Sequence, residues 1–83
     1  MNRKSVTRAR RKEIMRLGTI TWEGWLNSYE DGSPKLPRKE WGYSVHADVN
    51  GWHIYAPDHN PFEAYKACLE CARMCMEKRP DEV

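Results

Sequence analysis

Several features are scarce or missing in this chain of 83 residues, and each absence narrows the reading. No apolar run approaches the roughly 20 residues that span a bilayer, so no transmembrane helix is expected. The basic N-terminus has no apolar stretch behind it and so does not read as a secretory signal; its shortage of acids is a trait shared with mitochondrial targeting peptides. Cysteine is sparse and odd in number: Cys68, Cys71 and Cys75 sit within eight residues, a poor disulfide framework. That pattern favours a reducing, cytoplasmic (intracellular) setting. There is no glycine loop to cradle phosphate, no serine at a nucleophile elbow and no His-Glu-x-x-His. The expected protein is therefore not an enzyme and has no cofactor, and a small-molecule substrate is not expected.

Charge is what the chain has in an uneven supply. Residues 1–18 carry Arg3, Lys4, Arg8, Arg10, Arg11, Lys12 and Arg16 against Glu13 alone, a net +6. The other 65 residues carry seven basic groups against eleven acids, a net −4. A cationic leader thus precedes a mildly acidic body. Arginine and lysine neutralise phosphates and release counterions, so these seven residues are the candidate contacts to nucleic acid or another polyanion.

The organisation predicted is (α)βββα, an α+β fold whose three-stranded antiparallel sheet is covered on one face by a C-terminal helix. Residues 1–18 form the arm and residues 19–83 a single domain. Ser5 reads as the cap of a helix that runs to Leu17 and stops at Gly18, while mutual repulsion among the charges predicts mobility over the first ten or so residues and helix toward Leu17. Thr19 to Tyr29 reads as a strand, with Ile20, Trp22 and Leu26 on one face and Glu23 and Trp25 on the other; Gly24 is the expected bulge. Glu30 to Pro34 is a turn cluster, and Pro34 and Pro37 predict an irregular segment up to Lys39.

Tyr43, Val45, Ala47 and Val49 alternate with polar residues up to Asn50-Gly51, the pair suited to a type I′ turn. A two-residue turn there pairs Val49 with Trp52, Asp48 with His53, Ala47 with Ile54 and His46 with Tyr55. Asn60-Pro61-Phe62-Glu63 is a capped helix start, and that helix is expected to reach about Lys78. Its apolar stripe is Ala64, Tyr65, Cys68, Leu69, Ala72, Cys75 and Met76.

Two further constellations follow. The uncovered sheet face is predicted to hold Trp25, His46, Asp48, His53 and Tyr55, an aromatic and imidazole surface for a base or a protein partner. The cysteines have a metal-like spacing, but sulfurs on one helix converge only in part and zinc needs four ligands. Core packing is their expected role, with Cys71 at the edge of the stripe, and no metal site is expected.

In arrangement, Tyr43 to Ala72 resembles the sheet-plus-helix of AP2-type and integrase arm-binding domains, and Asp58-His59-Asn60-Pro61-Phe62-Glu63-Ala64-Tyr65-Lys66-Ala67 resembles their helix start. In that family the DNA-facing sheet is rich in Arg and Lys, whereas this sheet carries His46, Asp48 and His53. The αβββα order also resembles the double-stranded-RNA-binding domain, whose lysine clamp is matched here by Lys66 alone. Neither family is assigned. The expected function is a small binding or regulatory protein, nucleic-acid-associated through its arm. The alternative is a protein-binding inhibitor or adaptor of a larger machine, like accessory factors of phage and mobile elements.

Overall fold

The turn at Asn50-Gly51 organises the sheet. Both residues take positive φ, 51° at Asn50 and 86° at Gly51, and the chain reverses over these two residues. A computed structural model of the chain describes residues 2–28 and 35–83. In order, its elements are α1 (Arg3–Leu17), β1 (Thr19–Leu26), β2 (Gly42–Val49), β3 (Trp52–Asp58) and α2 (Pro61–Cys75). Short 3-10 turns occupy Arg38–Glu40 and Pro80–Glu82. The strands form one antiparallel sheet in the order β1-β2-β3, and α2 packs on it, as the sequence pattern predicts. The predicted pairings across the Asn50-Gly51 turn are all present. Tyr29 and the turn cluster at Glu30 to Pro34 lie outside the described residues.

The core lies between the sheet and the helices. Val45, Ala47 and Val49 of β2 and Ile54 and Ala56 of β3 meet Ala64, Tyr65, Cys68, Leu69 and Ala72 of α2. Cys68 and Cys75 are buried free thiols and Cys71 is exposed. Burial pushes the Cys68 thiol up to about 11 and also raises that of Cys75, which disfavours the thiolate at both positions.

Several boundaries differ from the pattern. Asn2 rather than Ser5 caps α1, its side chain accepting from Ser5 N at 2.8 Å. The helix is regular from Arg3 onward, although like charges neighbour one another along it. Neighbouring like charges cost about 0.2–0.5 kcal/mol per pair, and burial of an isoleucine contributes about 1.5–3 kcal/mol. Ile14 is fully buried in the common core, so packing outweighs the repulsion. Gly18 then lets the chain pass close under the sheet, since a Cβ there would lie 2.2 Å from the Asp48 carbonyl oxygen.

At the other end α2 stops at Cys75, short of Lys78, where the hairpin captures its last carbonyl and one from the segment beyond it. Asn50 Nδ2 donates to the Cys75 oxygen at 2.9 Å, and Trp52 Nε1 donates to the Lys78 oxygen at 2.7 Å. Met76, expected in the stripe, is the exposed C-cap. The segment before β2 is tighter than expected: Glu40 N bonds to Pro37 O at 2.8 Å and closes a 3-10 turn. Among the described residues, no helix is long and apolar enough to cross a membrane.

Because Ile14 joins α1 to the shared core, Ile14→Ala is expected to destabilise the whole protein by about 2–5 kcal/mol in a single cooperative transition. Chemical denaturation followed by circular dichroism measures it. A separate early transition for α1, with the rest unchanged, contradicts this packing.

Candidate functional site

The first strand decides which side chains face which way. Its register with β2 runs Ile20↔Ala47 and then Trp22↔His46, so Thr21 is an extra, bulged residue. The bulge sits three residues before Gly24, where it was expected. From Trp22 onward every side chain changes face relative to simple alternation. Glu23 and Trp25 turn inward beside Val45 and Tyr43, and Trp22 turns outward beside His46. Trp25 therefore does not join the open sheet face as predicted, and Trp22 takes its place. The role of Gly24 is to seat that indole, because a Cβ there would meet the Trp22 ring at 3.1 Å.

On the open face His46 lies at the centre of a cluster. Its ring is edge-on to Tyr55 at 4.8 Å, to Trp22 at 5.5 Å and to His53 at 5.7 Å between centroids. His53 Nδ1 and Asp48 Oδ1 are 2.7 Å apart, the cross-strand pair predicted from the turn. Four of the five predicted sheet-face residues are thus together. Among the described residues, no group of three or more His, Cys, Asp or Glu is placed to hold a metal ion.

Glu23, turned inward, joins three elements. Arg11 of α1 donates to both its oxygens, Nε to Oε1 at 2.8 Å and Nη2 to Oε2 at 2.6 Å. Tyr65 of α2 donates its hydroxyl to Oε1. The single Tyr65 proton being committed there, Tyr43 of β2 is the donor in the 3.1 Å contact between the two phenols. The Arg11 hydrogen bonds hold the Glu23 carboxyl below its usual range, against the opposing effect of desolvation. The same bonds raise Arg11, and burial followed by the Glu23 contact raises Tyr65, so all three keep their ordinary charge states.

The predicted arm residues separate into two groups. Arg10 donates to the Phe62 carbonyl at 3.0 Å, and the guanidinium carbons of Arg3 and Arg10 each lie 4.3 Å from the Phe62 ring centroid. Arg3 is also 3.9 Å from Glu63, whose carboxylate faces α1, while its N–H is capped by Asn60 at 2.9 Å. These contacts and Arg11–Glu23 clamp α1 to the body. Lys4, Arg8 and Lys12 have no ion-pair partner among the described residues, and Arg16 makes only an exposed pair with Glu13 at 3.7 Å. These four recur every fourth residue, in steps of about 6 Å along the axis, so they form a ridge on the outward side of α1. The interval is visible in the sequence, and it is the signal that separates ridge from clamp.

A second feature went unnoticed in the sequence. Between α1 and the start of α2 lies a cleft of about 670 Å³, lined by Arg3, Lys4, Arg8 and Arg11 and by Tyr43, Phe62 and Tyr65. No carboxylate lines it among the described residues. Its aromatic wall continues outward, from Tyr65 to Tyr43 at 5.7 Å, to Trp25 at 5.2 Å and to Trp41 at 6.1 Å between centroids. Cations and aromatics far apart in sequence are brought together there by the bulge at Thr21 and the clamp on α1.

Glu23 has a depressed folded pKa, so its contribution is present above the unfolded value, near 4.5, and is lost as pH falls through the folded value. Wild-type protein is expected to lose stability over that acid window, and Glu23→Gln, about 1–2 kcal/mol less stable at neutral pH, to lose less there. Urea midpoints measured against pH for both proteins check this; parallel curves would remove Glu23 from the account.

In comparison with known proteins, no family model matches the chain, and neither a curated protein nor a solved structure matches it significantly.

Proposed function

We propose that this protein binds nucleic acid, with the Lys4, Arg8, Lys12 and Arg16 ridge of α1 on backbone phosphates. The observation that carries the reading is the division of labour within α1. Arg3, Arg10 and Arg11 are engaged with Phe62, Glu63 and Glu23, whereas Lys4, Arg8 and Lys12 are exposed and make no ion pair among the described residues. A ridge on an anchored helix loses little conformational entropy on meeting a polyanion, which a mobile tail would lose. The role proposed is binding rather than catalysis, since the His53–Asp48 pair lies on an exposed sheet face. An intracellular setting accords with three free thiols.

Deleting the arm is not a clean test, because Ile14 belongs to the core. Charge removal is cleaner. Replacing Lys4, Arg8 and Lys12 together by Gln is expected to weaken binding and to lower the slope of log affinity against log salt by about 2–3. Fluorescence anisotropy with labelled oligonucleotides over a salt series measures both. Unchanged affinity and slope in the triple variant rule the ridge out.

A second reading is favoured by the open sheet face, where Trp22 is 45% and Tyr55 60% exposed around His46. Aromatic side chains of this kind anchor protein interfaces. On that reading the protein is an inhibitor or adaptor of a larger machine, in the manner of phage or mobile-element accessory factors. It predicts a stoichiometric protein partner that survives nuclease treatment and is lost with Trp22→Ala and Tyr55→Ala. Retention of the partner by the double variant, or capture of none, dismisses it.

A further inference from the structure

Resting on the nucleic-acid reading above, we infer that the protein prefers single strands, the cleft between α1 and the start of α2 taking an unstacked base. Its volume, about 670 Å³, lies within the roughly 300–1,000 Å³ of ordinary small-ligand sites. The lining combines what a nucleotide presents: cations for the phosphate and aromatic rings for the base. Lys4 and Arg8 belong both to the cleft and to the ridge, so a strand held on the ridge passes the mouth of the cleft.

The floor is formed in advance. Tyr65 is 3% exposed, and its hydroxyl, like the Arg11 guanidinium, is already satisfied by Glu23. No lining group of this network has to find a new partner before a ligand enters. Tyr43 is half-buried and offers ring surface beside Phe62, whose ring is already overlain by Arg3 and Arg10, and the exposed indole of Trp25, 5.2 Å from Tyr43, provides a second platform for the next base.

This arrangement discriminates by strandedness. In a duplex the base faces are covered by their neighbours, so a double helix meets only the cations of the ridge and leaves the cleft unfilled. A single strand splays its bases and reaches both. Trp22 supplies an internal control, being an indole of the same 45% exposure on the opposite face of the same strand.

The test uses the full chain, a short oligothymidylate and a duplex of equal length, with affinities measured by anisotropy at one moderate salt concentration. The single strand is expected to bind roughly tenfold more tightly than the duplex, and Trp25→Ala to weaken single-strand binding roughly tenfold while sparing the duplex. Trp22→Ala is expected to change neither. Thr7 of α1 also lines the cleft, and Thr7→Trp, which places a ring there and removes none, is expected to weaken the single strand selectively and guards against misfolding of the Trp25 variant. Equal affinity for both probes, or equal effects of the two Trp variants, overturns the inference and leaves the ridge in place. Failure of both probes to bind overturns the ridge as well, and the inference with it.

Discussion

A half-buried carboxylate, Glu23, is the point on which this structure turns. It accepts from Arg11 of α1 and Tyr65 of α2, and through Tyr65 it is linked to Tyr43 of β2. A carboxylate facing the core must be matched by donors, or the cost of desolvating it is not recovered. The match here draws on both helices and on the central strand. Glu23 thereby fixes the orientation of β1, and it holds a helix whose own charges would otherwise disfavour docking.

The bulge at Thr21 is the geometric counterpart of that interaction. Without it, strict alternation from Ile20 would turn Glu23 to the open face, away from Arg11 and Tyr65. With it, the two tryptophans of β1 exchange roles: Trp25 joins the aromatic row beside the cleft, and Trp22 covers Gly24 and abuts His46. The molecule has two dissimilar sides as a result. One is cationic and aromatic, under the helices. The other is an uncovered sheet surface of rings, imidazoles and one carboxylate.

Interlocking at the ends completes the scaffold. The hairpin turn that reverses β2 into β3 also caps α2 through Asn50 and holds the segment after it through Trp52, so the tip of the sheet and the end of the helix are one unit. Gly18 allows the close approach that brings α1 under Val49 and Asp48. A small domain has little apolar area to bury, and such shared contacts let each element stabilise more than one neighbour.

The chain's local chemistry was enough to establish the hairpin, the Asn60 cap, the stripe of α2 and the segregation of positive charge, since turn preference, capping and periodicity act between residues close in sequence. The Asp48–His53 pair was legible for the same reason: a two-residue turn leaves only one register. The facing of Trp22 and Trp25, the docking of α1 and the cleft were not legible. Each depends on a bulge position or a side-chain partner distant along the chain, and local preference is indifferent to both. Seven cations along one short stretch looked alike as letters; a carboxylate twelve residues from Arg11, and a ring fifty-two from Arg10, made some of them structural and left the others facing outward.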